Sequence, residues 1–192
     1  MAILIAGLVL FLGTHSLHML APGWRQRRIG RVGLQAWKGL YSLAALAGFG
    51  LIIVGFGIAR HAPLLLYVPP VWLRHSNALF TFVAFVLIAA ACVPHNHLKA
   101  KIGHPMLAGV ALWATGHLLA TGFLHDVILF GTFLIWSVAD FRVSRRRDRI
   151  AGTVYPVGTL AGDAVAVVAG VAGWAIFAFL LHQRLIGVNP FA

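Results

Sequence analysis

The chain has 192 residues, 60% of them hydrophobic and only 10% charged, with a mean hydropathy of +0.90 and a formal charge of +11. A soluble domain of this size cannot hide that much apolar surface, so the repeated long apolar runs point to an all-α, polytopic integral membrane helix bundle. The positive charge does not indicate nucleic acid, because the basic residues sit in short loops between apolar segments, where topology accounts for them. The lone Cys92 excludes an internal disulfide and any CxxC metal site.

The first apolar segment covers residues 2–20. No basic residue precedes it, and Arg25, Arg27, Arg28 and Arg31 follow it, so it does not read as a cleavable signal. A second, glycine-rich segment covers residues 37–58. Residues 60–76 form a loop with Pro63, Pro69 and Pro70 that could re-enter the membrane, and Ser76 and Asn77 could cap a third segment over 77–93. A short polar loop, PHNHLKAKIG, leads into the fourth segment at 103–122. His125 and Asp126 make a tight link to the fifth segment, 127–141, which a basic loop follows at 142–149. Residues 153–162 are weakly apolar and interrupted by Pro156, and the sixth segment covers 163–181.

Six spans sort the basic residues. Arg25, Arg27, Arg28, Arg31, Lys38, Lys99, Lys101, Arg142, Arg145, Arg146, Arg147 and Arg149 fall on one side, and Arg60, Arg74 and Arg184 on the other. The positive-inside rule then places both termini outside, which for a bacterial inner membrane is the periplasmic side. No internal repeat divides the chain, so residues 1–192 read as one transmembrane domain with the lipid bilayer as its partner.

The fourth segment carries the chemistry. The residue before a proline leaves the helical region, and proline suits the first helical position, so a helix should begin at Pro105 with His104 at its threshold. His117 follows 13 residues later, roughly 20 Å deeper at about 1.5 Å per residue. An ionisable side chain at that depth is costly and is by default a functional candidate. At about 100° per residue, Met106, Val110, Trp113, His117 and Thr121 share one stripe.

Ten histidines accompany only four acids, with no glutamate, which disfavours paired-carboxylate hydrolysis. Asp126 maps to an outer loop, and Asp140, Asp148 and Asp163 are expected to pair with the arginines of 142–149. The absence of HExxH or a Cys/His cluster argues against zinc. His95 and His97 read as surface residues of a wet loop, and His61, His75, His125 and His182 as residues of the outer interface.

His15 and His18 differ. They lie in the inner half of segment one, about 60° apart and on the face of Phe11. Two imidazoles from facing helices in a dry, aromatic-lined bundle are the way a b-type haem is held, and His117 with His15 is the best pair, with His18 as alternative to His15. If segments one and four are both centred in the bilayer, His15 lies about 7 Å towards the inner side and His117 about 4 Å towards the outer, so joint ligation requires one helix to shift or tilt. Hydrogen-bonded cross-links between helices remain the alternative use of these histidines.

HPMLAGVALWATGHLLATG with the following LFGTFLIWSV, GTHSLHML near the start, the N-x-L-K of Asn96 to Lys99 and LHQRLIGV near the end resemble the NnrU family of bacterial membrane proteins over essentially the whole chain. That family is named for an association with denitrification and nitric-oxide metabolism. It is also similar to the plant-type 15-cis-zeta-carotene isomerases, integral membrane enzymes that use haem b held by two histidines. The resemblance implies His15, His104 and His117 as the matching histidines. The isomerase pattern also includes a cysteine near the deep histidine; here Trp113, Ala114, Thr115 and Gly116 occupy that stretch, and Cys92 falls on another segment.

Two functions follow as expectations. In the first, haem b is bound by His15 and His117 with Trp113 and Phe11 as apolar walls, His104 at the cytoplasmic mouth positions a propionate or relays a proton, and the chemistry is redox-type cis–trans isomerisation of a hydrophobic polyene. In the second, the chain is a non-catalytic membrane factor that supports nitric-oxide reduction by assembling or supplying a respiratory oxidoreductase.

Overall fold

The computed structural model describes residues 1–191 and is helical nearly throughout. Helix α1 spans Ala2–Leu20, α2 Pro22–Val32, α3 Leu34–Ala59, α4 Val71–Cys92, α5 His97–Ile102, α6 Pro105–Ala120, α7 Leu124–Ala151 and α8 Leu160–Ala175. A π-helical turn, Ile176–Leu181, continues α8 into the short α9, His182–Ile186. Five helical stretches are long and apolar enough to cross a membrane: α1, α3, α4, α7 and the run Leu160–Ile186. The fourth apolar segment forms the 16-residue α6, about 24 Å long. Large apolar side chains such as Leu43, Leu46 and Val168 face outward, as lipid-facing positions do.

The chain divides into two compact units. One comprises residues 1–66 and 123–132, the other 67–122 and the chain from 133 onward. In the first unit α1 and α3 run antiparallel and very close. Gly48 meets the backbone of Phe11, Gly7 that of Ile52, and Gly55 that of Leu4. A methyl group at Gly48 would lie 2.7 Å from Phe11 N, so these glycines are what allows the two backbones to touch. Close approach through small residues is the usual route to helix pairing where lipid removes the hydrophobic drive. Leu65 and Phe123 form an antiparallel bridge, with Leu124 N donating to Leu64 O at 2.8 Å.

In the second unit α4 packs against α6 and α8. Gly109 sits against Ala84 O, and Gly170 against the backbone of Val86. The α4–α5 corner is built on Asn96, which is 1% exposed. Its amide donates to Ala90 O and Val93 O at 2.8 and 2.7 Å, and its Oδ1 caps α5 by accepting from Lys99 N. Lys99 Nζ donates to Ala91 O, so this pair satisfies several carbonyls that the end of α4 would otherwise leave unmet.

Several expected boundaries shift. Helix α4 starts at Val71, not near residue 77, because Pro70 takes the N-cap position; Ser76 and Asn77 therefore lie inside the helix, where Ser76 Oγ donates to Trp72 O. The arginines after α1 and those of 142–149 lie on helices α2 and α7 rather than in loops. At about 1.5 Å per residue the 28 residues of α7 reach about 42 Å, so its arginine-rich end extends beyond a hydrocarbon layer of about 30 Å. His125 and Asp126 are not an exposed link: both lie in the first turn of α7, 4% and 7% exposed, with the His125 ring stacked on Phe123 and edge-on to Phe56.

Candidate functional site

The start and stop of α6 are set locally. Gly103 adopts φ +79°, His104 is the N-cap and Pro105 opens the helix, as the order Gly-His-Pro predicts. At the other end Thr121 is extended, and the Tyr67 hydroxyl donates to the carbonyls of Leu118 and, at 2.7 Å, Thr121. That hydroxyl caps carbonyls which a helix end inside a membrane could not leave bare.

His117 lies in the last turn of α6, with its imidazole 5.2 Å from the Trp113 ring. Its Nδ1 is 2.8 Å from Trp113 O. A carbonyl only accepts, so Nδ1 carries the proton and the neutral ring has its lone pair on Nε2. Trp113 is in turn edge-on to Phe133 at 5.6 Å. Beside His117 is a cavity of about 40 Å³ bordered by Asn77, Thr81, Trp113, Trp174 and His182. Asn77 Oδ1 is buried there without a hydrogen-bond partner among the described residues. Trp174 Nε1 donates to Thr81 Oγ1 at 3.1 Å.

His182 reaches this cavity by way of the π-helical turn. Its backbone N–H donates to Phe177 O, five residues back, and its ring lies 5.8 Å from that of Phe177. The sequence places it at the outer interface and does not show that it borders the His117 cavity. Nothing in the residue pattern announces a π turn, whereas such turns recur at functional positions in structures.

In the first unit His15 repeats the arrangement of His117. Its Nδ1 donates to Phe11 O at 2.8 Å, and the Phe11 ring lies 4.3 Å away. Tyr41 approaches edge-on at 5.4 Å. His18 Nδ1 donates to His15 O at 2.7 Å, so it too has its lone pair on Nε2. Phe11, His15 and His18 thus belong to one unit, and His104, Trp113 and His117 to the other.

His104 anchors a polar cluster at the start of α6. Its Nε2 lies 2.7 Å from Asp148 Oδ2, and the Tyr155 hydroxyl donates to the same oxygen at 2.5 Å. Arg145 stands 4.0 Å from that carboxylate. The Tyr155 hydrogen bond, seconded by His104 and Arg145, holds the Asp148 carboxyl below the ordinary carboxylate range. Burial, with the neighbouring Asp148 charge, pushes the Tyr155 phenol up. Tyr155 was not singled out in the sequence, since it lies in an irregular stretch with no pattern around it.

The expected pairing of acids with the basic run holds only in part. Asp148 meets Arg145, and Asp140 accepts from Ser144 Oγ, which in turn accepts from Arg147. Asp163 instead grips His97, accepting from its backbone N–H and from Nδ1, each at 2.7 Å. His97, with its side chain 43% exposed, is therefore a surface residue held by a fixed partner. Among the described residues no group of three or more His, Cys, Asp or Glu side chains could hold a metal ion.

No curated protein and no solved structure matches the chain. The family model described as NnrU protein matches residues 3–190, nearly the entire sequence, and the chain therefore belongs to the NnrU family.

Proposed function

We propose that this NnrU-family protein is a multi-pass protein of the bacterial inner membrane, with both termini outside, that binds haem b through His117 and His15 and supports redox-type cis–trans isomerisation of a hydrophobic polyene. The observation that carries the reading is the matched state of the two imidazoles. Each donates Nδ1–H to the carbonyl four residues earlier, at 2.8 Å in both cases, which orients the ring and assigns the lone pair to Nε2. That is the tautomer and support with which a histidine would hold a haem iron through Nε2. A haem needs only two protein nitrogens because its macrocycle supplies the other four, and a neutral imidazole is the donor type it takes. His18 has the same tautomer and remains the alternative to His15.

When bound, the haem supplies an iron centre whose reduced form lowers the barrier to rotation about a conjugated double bond. The protein's own residues do the rest. Phe11 and Trp113 wall the two imidazoles with apolar surface. His104, Asp148 and Tyr155 form a hydrogen-bonded chain able to hold or pass a proton at His104 Nε2, or to position a propionate. Surrounding lipid selects an apolar substrate.

The test is expression beside a carotenoid pathway stalled at a cis intermediate. Haem-loaded wild type converts the polyene, and His117→Ala does not. No conversion by a haem-loaded preparation removes the isomerase and leaves the second reading, a non-catalytic factor that supports denitrification through a respiratory oxidoreductase.

A further inference from the structure

Helix α2 is not needed for the haem reading. Its sequence PGWRQRRIGRV contains four arginines and no acid, and none of its residues is buried. At about 100° per residue, Arg27, Arg31, Trp24 and Arg28 fall within an arc of about 100°, while Arg25 and Ile29, the half-covered positions, turn to another side. The outward face is thus an indole set among three guanidinium groups.

The face is held rather than loose. Trp24 packs edge-on at 5.9 Å against Trp37 of α3, which is only 9% exposed. The Arg28 guanidinium lies 5.3 Å from the Trp24 ring centroid. The antiparallel pairing of α1 and α3, with Leu4 beside Gly55 and Phe11 beside Gly48, brings the C-terminus of α1 and the N-terminus of α3 to the same end. α2 joins those two ends, so it sits where two apolar spans leave the hydrocarbon.

Among the described residues none of the four arginines forms an ion pair with a carboxylate. The only acid of this unit, Asp126, is in the first turn of α7 next to His125, whose ring meets Phe56 near the opposite end of α3. Guanidinium groups stay charged at any physiological pH and fit phosphate oxygens in pairs, and tryptophan favours the headgroup level of a bilayer.

We infer that α2 is a binding site for anionic phospholipid, with Arg27, Arg28 and Arg31 engaging phosphodiester headgroups and Trp24 seated at their level. Topology alone requires basic residues on this side of the membrane. It does not require three of them on one arc around an anchored tryptophan.

The test uses the full chain in detergent, stripped of lipid and titrated with phosphatidylglycerol or phosphatidylcholine, with bound lipid counted by native mass spectrometry. Wild type prefers phosphatidylglycerol by tenfold or more, as a basic residue near an anionic surface contributes roughly fivefold. Arg27→Gln/Arg28→Gln/Arg31→Gln loses most of that preference, and the Arg→Lys triple retains much of it. Equal binding of the two lipids by wild type, or an undiminished preference in the glutamine variant, overturns the site. Inorganic phosphate that displaces the lipid at millimolar concentration also overturns it, since the face would then read a free anion. If the glutamine variant does not fold, salt decides: the wild-type preference must shrink as ionic strength rises, and a salt-independent preference contradicts the inference.

Discussion

His104 Nε2 and Asp148 Oδ2 lie 2.7 Å apart, joining the residue that opens α6 to the last turn of α7. The Tyr155 hydroxyl closes the cluster on the same oxygen. Because Asp148 has its carboxyl held below the ordinary value, its share of stability is complete above the unfolded-state pKa of about 4 and is lost as pH falls through the lower, folded value. Tyr155→Phe removes the largest cause of the shift. Tyr155→Phe should therefore have a lower Tm than wild type in detergent above pH about 4 and should lose less Tm on acidification. A Tm loss on acidification as large in Tyr155→Phe as in wild type would mean the phenol does not stabilise the carboxylate.

The glycine seam of α1 and α3 makes a paired prediction. Gly48→Val places a side chain where Phe11 N already stands, 2.7 Å from the new Cβ, and should cost more than about 3 kcal/mol, seen as loss of monodisperse protein after extraction. Gly50→Ala on the same helix meets nothing within 4 Å and should be neutral or stabilising by about 0.5–1 kcal/mol. Equal tolerance of both substitutions would show that the helices do not approach this closely.

Asn96 gives a third. Asn96→Ala removes two donated hydrogen bonds and the cap of α5 from a site 1% exposed to solvent. Leaving buried carbonyls unmet costs about 1–3 kcal/mol, so Tm should fall by several degrees. Asn96→Asp keeps the cap acceptor but loses both donors, and it should recover little of the loss.

How far the residues disclosed this structure depended on whether the determinant was local. Helix α1 has the expected boundaries, because a predominantly apolar run stops at Ala21-Pro22. Gly103-His104-Pro105 marked the start of α6 for the same reason. The beginning of α4 was placed late because Arg74 and His75 were read as loop, although Pro70 is a legitimate N-terminal signal. The arginine-rich end of α7 was read as loop from its charge, yet it has no glycine or proline to stop it before Gly152. At the candidate site the stripe of Trp113 and His117 and that of Phe11 and His15 were legible, since both follow helical spacing. The partners were not. Tyr155 for His104, Asp163 for His97 and the approach of His182 to the His117 cavity depend on contacts between distant parts of the chain, and the last also on a π turn.

The imidazoles of His15 and His117 share one further consequence. Because each ring is oriented by a carbonyl of its own helix, His15→Ala and His117→Ala remove a proposed haem ligand without breaking an Nδ1 hydrogen bond between helices. Both variants should extract as folded protein with Tm within a few degrees of wild type in the absence of haem. A collapse of either fold without haem would assign the histidine to structure instead.

The central claim is tested most directly by the absorption spectrum of detergent-purified full-length protein, oxidised and then reduced with dithionite, for wild type, His117→Ala, His15→Ala and His18→Ala. The account predicts a sharp reduced b-type spectrum in wild type that collapses in His117→Ala and in His15→Ala while His18→Ala keeps it. A colourless wild type even after haem reconstitution, or a spectrum indifferent to His117→Ala, would contradict it.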